Sequence, residues 1–286
     1  MQIGSEEHKR LLCETFIASH NRYEPKDLPW PQLDDVSLAR LRAIPIWTMA
    51  LDIEISAGSM LEGFSKTESD PLVRDALALQ GYEESRHGRM LAEMIRRYGL
   101  TVRTKEPTDD PTRRAFIHFG YDECVDSFAG FGIFKLAREA RILPESLTSL
   151  FARVLEEEAR HIVFFVNWIA WDRARRGLTP PYMQIVPSLV SYITAIIRRV
   201  QGGSAMAGSG NNDGSAAMGL FSDVMRDLTP AKFLRACLTE NDRYMRSFDR
   251  RLLRPRVIPT LGKTALIVME LTEAVRALLR RSEARA

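Results

Sequence analysis

The sequence predicts an all-α fold, a four-helix bundle with extra C-terminal helices. Three observations lead there. Between residues 36 and 176, four long segments carry apolar residues at helical spacing. No segment of strand length alternates apolar and polar residues, so a sheet is not expected. The helix breakers fall in the order short turn, longer linker, short turn, which makes two antiparallel hairpins joined by a crossover.

The elements follow in chain order. Residues 1–35 read as a short helix and an irregular arm, because Pro25, Pro29 and Pro31 forbid a continuous helix; Trp30 is expected to pin the arm to the body. The bundle is expected over 36–176. Its first segment runs from about Val36 to Ser65, with the stripe Trp47, Ala50, Leu51, Ala57, Gly58 and Leu61. Pro71 suits the first turn of the second segment, and Gly99 suits the position after its end. A polar linker, Thr101 to Thr112, precedes the third segment, whose stripe is Phe116, Phe119, Gly120, Ser127, Gly130, Phe131 and Phe134. Ile142-Leu143-Pro144 turns the chain into the fourth, which carries His161, Phe164, Phe165 and Trp168 on one side and stops at Gly177 and Pro180-Pro181. Residues 177–286 read as a helical cover. Tyr182 to Ile197 is expected to be a buried helix, and further helices are expected near 230–249 and 263–281. Residues 201–219 hold six of the chain's 17 glycines and read as a flexible loop, serving as a lid or as a linker.

Composition excludes several classes. With 45% hydrophobic and 27% charged residues, the 286-residue chain is ordinary globular material, neither disordered nor fibrous. Forty Lys and Arg against 37 Asp and Glu give +3, too balanced for nucleic-acid binding by bulk charge. The three cysteines, Cys13, Cys124 and Cys237, form no CxxC and no disulfide framework, and no signal-peptide or membrane-spanning pattern is present. A cytoplasmic setting, without membrane or nucleic-acid partners, is the expectation.

The chemistry lies in an internal repeat. The second segment contains Glu83-Glu84-Ser85-Arg86-His87 and the fourth Glu157-Glu158-Ala159-Arg160-His161. Residues three apart face the same way on a helix, so Glu84/His87 and Glu158/His161 can each hold one cation. The motifs fall on the second helix of each hairpin, with apolar neighbours on the same face. A dinuclear site also needs a carboxylate from each partner helix. Glu54 and Glu84 stand equally far from Ser69 in the turn, and Glu54 interrupts an apolar stripe, where a carboxylate is costly without a partner. Asp52 has a similar height on a more polar face, and Glu62 is too near the turn. On the third segment both Glu123 and Asp126 have suitable heights opposite Glu158; Glu123 is preferred because it extends the apolar stripe and its longer side chain can bridge two metals.

The pattern Glu54, Glu84-x-x-His87, Glu123, Glu158-x-x-His161 resembles the ferritin-like diiron carboxylate superfamily, over about residues 40–176. The resemblance implies two iron ions, or manganese or a mixed Mn/Fe pair, held by these six residues. It also implies a role for the residues just before the ligand glutamates. There many members carry an Asp hydrogen-bonded to a ligand histidine, and this chain carries Glu83 and Glu157. Four carboxylates and two imidazoles independently suit iron or manganese, and four carboxylates offset two divalent ions. Cys124, about 100° around the helix from Glu123, is expected to pack rather than ligate. Tyr82 and Tyr121, each two residues before a proposed ligand, read as packing or hydrogen-bonding groups, with a redox role as the alternative. His118 reads as structural, and Arg86 and Arg160 as salt-bridge partners of outer carboxylates.

The expected activity is oxidation or hydroxylation of a small organic substrate by dioxygen, N-oxygenation included, with electrons from an external donor because the chain has no CxxC or dinucleotide-binding motif. A homodimer is compatible with this reading. The alternatives are a ferroxidase or peroxidase of ferritin-like type and a non-catalytic helical binding protein.

Overall fold

The computed structural model describes residues 1–44, 46–103, 111–178, 188–198 and 228–283. Among them every regular element is helical. The long helices are α1 (Glu6–Ala18), α2 (Asp35–Ala43), α3 (Trp47–Ser65), α4 (Pro71–Tyr98), α5 (Arg113–Glu139), α6 (Glu145–Arg175), α7 (Pro230–Met245) and α8 (Val257–Glu283). A 3-10 turn covers Pro25–Asp27, and residues 188–198 are helical. The expected loop 201–219 lies outside the described residues, as does part of the linker before α5.

Local chemistry sets the ends. The Asp70 carboxylate accepts from the Leu72 and Val73 amides, Pro71 occupies the first turn, and Gly99 closes α4 at φ 59°. Thr112 and Thr229 cap α5 and α7 in the same way. The segment expected to run unbroken from Val36 to Ser65 is two helices. The sequence carries Pro45 there, and Ile44 before it is extended at φ −74°, ψ 115°, as a residue preceding proline prefers. The last helix starts at Val257, earlier than expected, because proline at position 259 falls within its first turn, where no amide partner is needed.

The pairing of α3 with α4 is read from their glycines. A Cβ on Gly58 would lie 2.3 Å from Ser85 Oγ, and one on Gly81 would lie 3.1 Å from Leu61 Cβ. The two helices are therefore antiparallel and nearly in backbone contact, which brings Glu54 opposite Gly88. In the second hairpin Arg113 pairs with Asp172 at one end and Arg138 with Glu145 at the other, so α5 and α6 are also antiparallel. Gly120 lies under the Phe165 ring. Gly58 and Gly120 thus allow close packing.

Two apolar clusters divide the bundle along its length. Phe64, Phe116, Phe165 and Trp168 belong to one; Leu51, Met90, Met94 and Leu150 belong to the other. The repeat motifs lie between them. On the outside, α1 packs against α4 and α6, and the arm follows it, with Trp30 set edge-on to Tyr98 and Phe151. The C-terminal helices add to the α5 side, where Gly132 admits Cys237 and the Phe131 and Tyr244 rings lie 4.5 Å apart.

The described part of the expected buried helix, 188–198, is amphipathic instead. Tyr192 and Ala195 are buried, while Leu189, Val190, Ile193 and Ile197 are exposed, because only one face meets α5 and α6. No helix among the described residues is long and apolar enough to cross a membrane.

Candidate metal centre

Helices α3, α4 and α6 bring Glu54, Glu84, His87 and Glu158 together, with one ligand atom from each inside a group 4.8 Å across. His161 joins them: its Nδ1 lies 2.9 Å from Glu84 Oε1 and 3.6 Å from Glu158 Oε2. His87 Nδ1 lies 2.9 Å from Glu158 Oε1 and 3.5 Å from both Glu54 and Glu84. Each imidazole thus meets the glutamate of the opposite motif more closely than its own. The ring centroids are 5.6 Å apart. Glu123 is not in the tight group. It is enclosed beside it on α5, within the field of Glu158, Glu84, Asp126 and Glu54. Asp126 borders the centre through Glu123.

The outer nitrogens are held from behind. His87 Nε2 lies 2.8 Å from Glu157 Oε2, and His161 Nε2 lies 2.9 Å from Glu83 Oε2. Both glutamates are fully buried. Arg86 donates to Glu157 and to the Asn21 carbonyl; Arg160 donates to Glu83 and to the Ser19 carbonyl. These arginines form the ion pairs expected of them, with the outer carboxylates that hold the histidines. His20 completes the Glu83 set at 2.6 Å, and the Tyr23 hydroxyl donates to Glu157 at 3.1 Å. The sequence reading misses this contribution of α1 and the arm. Only the polar run His20-Asn21-Arg22-Tyr23 after an amphipathic helix could have drawn notice to it.

The inner nitrogens face the carboxylates. A carboxylate behind Nε2 fixes the proton there and leaves the Nδ1 lone pair facing other carboxylates. Although oxygens lie within 2.9 Å, neither Nδ1 has a hydrogen-bond partner, nor does Glu158 Oε2. Buried lone pairs facing anions are unfavourable unless a proton or a metal ion lies between them. The donor set fits hard-to-intermediate divalent ions.

Metal-free, the centre holds protons. Burial opposes charge on both histidines, but their carboxylate neighbours outweigh it and raise both pKa values well above the ordinary range. Burial pushes Glu54 up to about 8, although His87 opposes this. Burial, then the neighbouring carboxylates, raises Glu123 well above its ordinary range. Glu84 and Glu158 move the other way: burial is the largest influence on each and opposes ionisation, but the two imidazoles outweigh it. Glu83 is held down at about 2 against its own burial by His161, Arg160 and His20.

Comparisons with protein-family models, with curated proteins and with solved structures found no match to this chain. The case for the centre therefore stands on its geometry.

The remaining expectations fall into place around it. Tyr82 is 42% exposed and donates to Glu24, so it points away from the centre. The Tyr121 hydroxyl donates to Ser188 on the outer side of α5. Cys124 is buried, its pKa raised to about 12 by burial, and it faces Tyr192. His118 is exposed. Gly130 has open space at its Cβ position, whereas Gly58 and Gly120 have none. Access is uneven. Glu83, Glu157, Arg86 and His161 are sealed under α1 and the arm, but the Glu54 side chain is 19% exposed on α3.

Proposed function

We propose that this chain is a dinuclear non-haem iron oxygenase or oxidase of ferritin-like type, acting on a small organic substrate. The reading rests above all on one observation: two buried histidines, each fixed by a carboxylate at Nε2, turn unpartnered Nδ1 atoms into a group of glutamates. Glu54, Glu84, His87, Glu123, Glu158 and His161 would hold the ions, with manganese or a mixed Mn/Fe pair as the other occupants of this donor set. Two ferrous ions so held would supply the two electrons with which dioxygen reduction begins.

The chain's own residues do the rest. Glu83 and Glu157 keep both imidazoles in the tautomer that presents Nδ1 inward and raise their basicity. Arg86 pairs with Glu157 and Arg160 with Glu83 in a dry interior. The apolar clusters above and below exclude water along the bundle axis. The α1 face is closed, so small molecules would reach the centre beside Glu54, between α3 and α5. An external donor supplies further electrons.

The test is a metal count with anomalous scattering at the iron edge, followed by mixing ferrous protein with oxygen and a metabolite pool. Two irons per chain and an oxidised organic product support the proposal. Oxygen or peroxide consumption with no organic product would make the protein a ferroxidase or peroxidase. A chain without metal, indifferent to Glu84→Ala and His161→Ala, would be a binding protein.

A further inference from the structure

A cavity of about 310 Å³ lies on the outer side of α6, against the helical stretch 188–198 and the connection 253–257. Its volume is at the low end of the range for small-molecule sites, ~300–1,000 Å³. Phe165, one turn beyond His161, forms its inner wall, with Ile169 and Tyr192 beside it. Tyr121, Phe165 and Tyr192 meet edge to face, with centroid separations of 5.1 and 4.8 Å. The walls are therefore aromatic.

Its charge is one-sided. Arg173, Arg254 and Arg256 line it, and no acidic residue does so among the described residues. Arg173 donates to Ser188 Oγ at 3.0 Å and to the Tyr121 hydroxyl at 3.1 Å. Two neutral oxygens use two of its five N–H groups and cancel none of its charge. Among the described residues Arg254 donates only to main-chain carbonyls, those of Met245, Leu252, Phe248 and Asp249. Burial lowers the Arg254 pKa; Asp249 opposes this and Arg256 adds to it. No carboxylate lies within ion-pair distance of Arg173 or Arg254 among the described residues, whereas Arg86, Arg113, Arg160 and Arg175 all have one. A half-buried guanidinium without a counter-charge is costly, and an anion in the cavity would remove that cost.

We propose that this cavity is a binding site for a small organic carboxylate, with an apolar body of about one ring against Phe165, Ile169 and Tyr192 and its carboxylate on Arg173. The site is separate from the metal centre and does not depend on the reading of that centre.

Benzoate is the probe, titrated calorimetrically into the full chain, both as purified and after chelator treatment, with benzamide as its neutral isostere and inorganic phosphate as the bare anion. The expectation is one saturable benzoate site per chain, unchanged by the chelator, with benzamide and phosphate each at least tenfold weaker. Arg173→Gln should weaken benzoate at least tenfold with the helical circular dichroism intact. Leu189→Trp, a change at the exposed rim that leaves every arginine in place, should do so by filling the entrance. Benzoate binding that survives both substitutions, or that disappears with the metal, would overturn the proposal, as would equal affinity for benzamide.

Discussion

His87 on α4 faces consecutive glutamates of α6 with its two nitrogens: Nε2 lies 2.8 Å from Glu157, which holds it, and Nδ1 lies 2.9 Å from Glu158 without a hydrogen bond. His161 on α6 stands in the same relation to Glu83 and Glu84 on α4. The repeat is thus a reciprocal device, in which the glutamate pair of each helix holds the histidine of the other. Glu83→Gln and Glu157→Gln keep the shape but lose the charge that raises imidazole basicity. Each should weaken metal binding ~10–100-fold. Competition against a chromophoric chelator measures it, and an unchanged affinity in both variants would remove the role given to these residues.

Metal loading should be strongly pH-dependent. In the metal-free centre, burial and the neighbouring charges favour protons on His87, His161, Glu54 and Glu123 and ionised Glu84 and Glu158. Two imidazolium ions then balance two carboxylates. Two divalent ions would replace these four protons at no change in net charge. Because all four pKa values lie above the ordinary range, proton competition weakens as pH rises, so affinity should increase from pH 6 to 8. Calorimetry in buffers of different ionisation enthalpy should report close to four protons released per pair of ions. Release near zero would contradict the protonation pattern.

The small residues of the bundle divide by what surrounds them. A Cβ on Gly120 would stand 2.1 Å from the Phe165 ring, whereas one on Gly130 meets nothing within 4 Å. Gly120→Ala should therefore destabilise by ~1–3 kcal/mol through overpacking. Gly130→Ala should stabilise by up to ~1 kcal/mol, the helix-propensity difference alone. Urea unfolding of the two variants side by side checks both signs.

The reach of the sequence follows from what each interaction depends on. Glu84, His87, Glu158 and His161 were legible because a three-residue spacing fixes a common helix face. Glu54 was legible because a short turn makes heights on two helices comparable. Glu123 and Asp126 share a helix face closely enough that spacing does not separate them, and the structure leaves Glu123 beside the tight group, in the field of Asp126. The break between Ala43 and Trp47 falls where a proline stands inside an apolar run, which hides it from the periodicity. His20 and Tyr23 were illegible for a different reason. They reach Glu83 and Glu157 across separations of 63 and 134 residues, set by how α1 docks rather than by any period.

That docking gives the last prediction. Arg86 is fully buried, stacks 4.0 Å over the Tyr23 ring, and joins Glu157 to the Asn21 carbonyl. Arg86→Met keeps much of the volume but leaves Glu157 and the Asn21 carbonyl short of a donor. Removing one partner of a buried ion pair costs ~3–5 kcal/mol, and the metal-free protein should lose about that much in urea unfolding. Tyr23→Phe removes a single hydrogen bond to the same carboxylate and should cost ~1.5–3 kcal/mol. The two losses should not add, because both act on Glu157; a double variant should fall short of the sum. Proteolysis within residues 19–24 should quicken in both, since the arm is fastened to the bundle through this cluster. An Arg86→Met protein as stable as the parent, with its arm equally protected, would show that the arm is held by its apolar contacts alone.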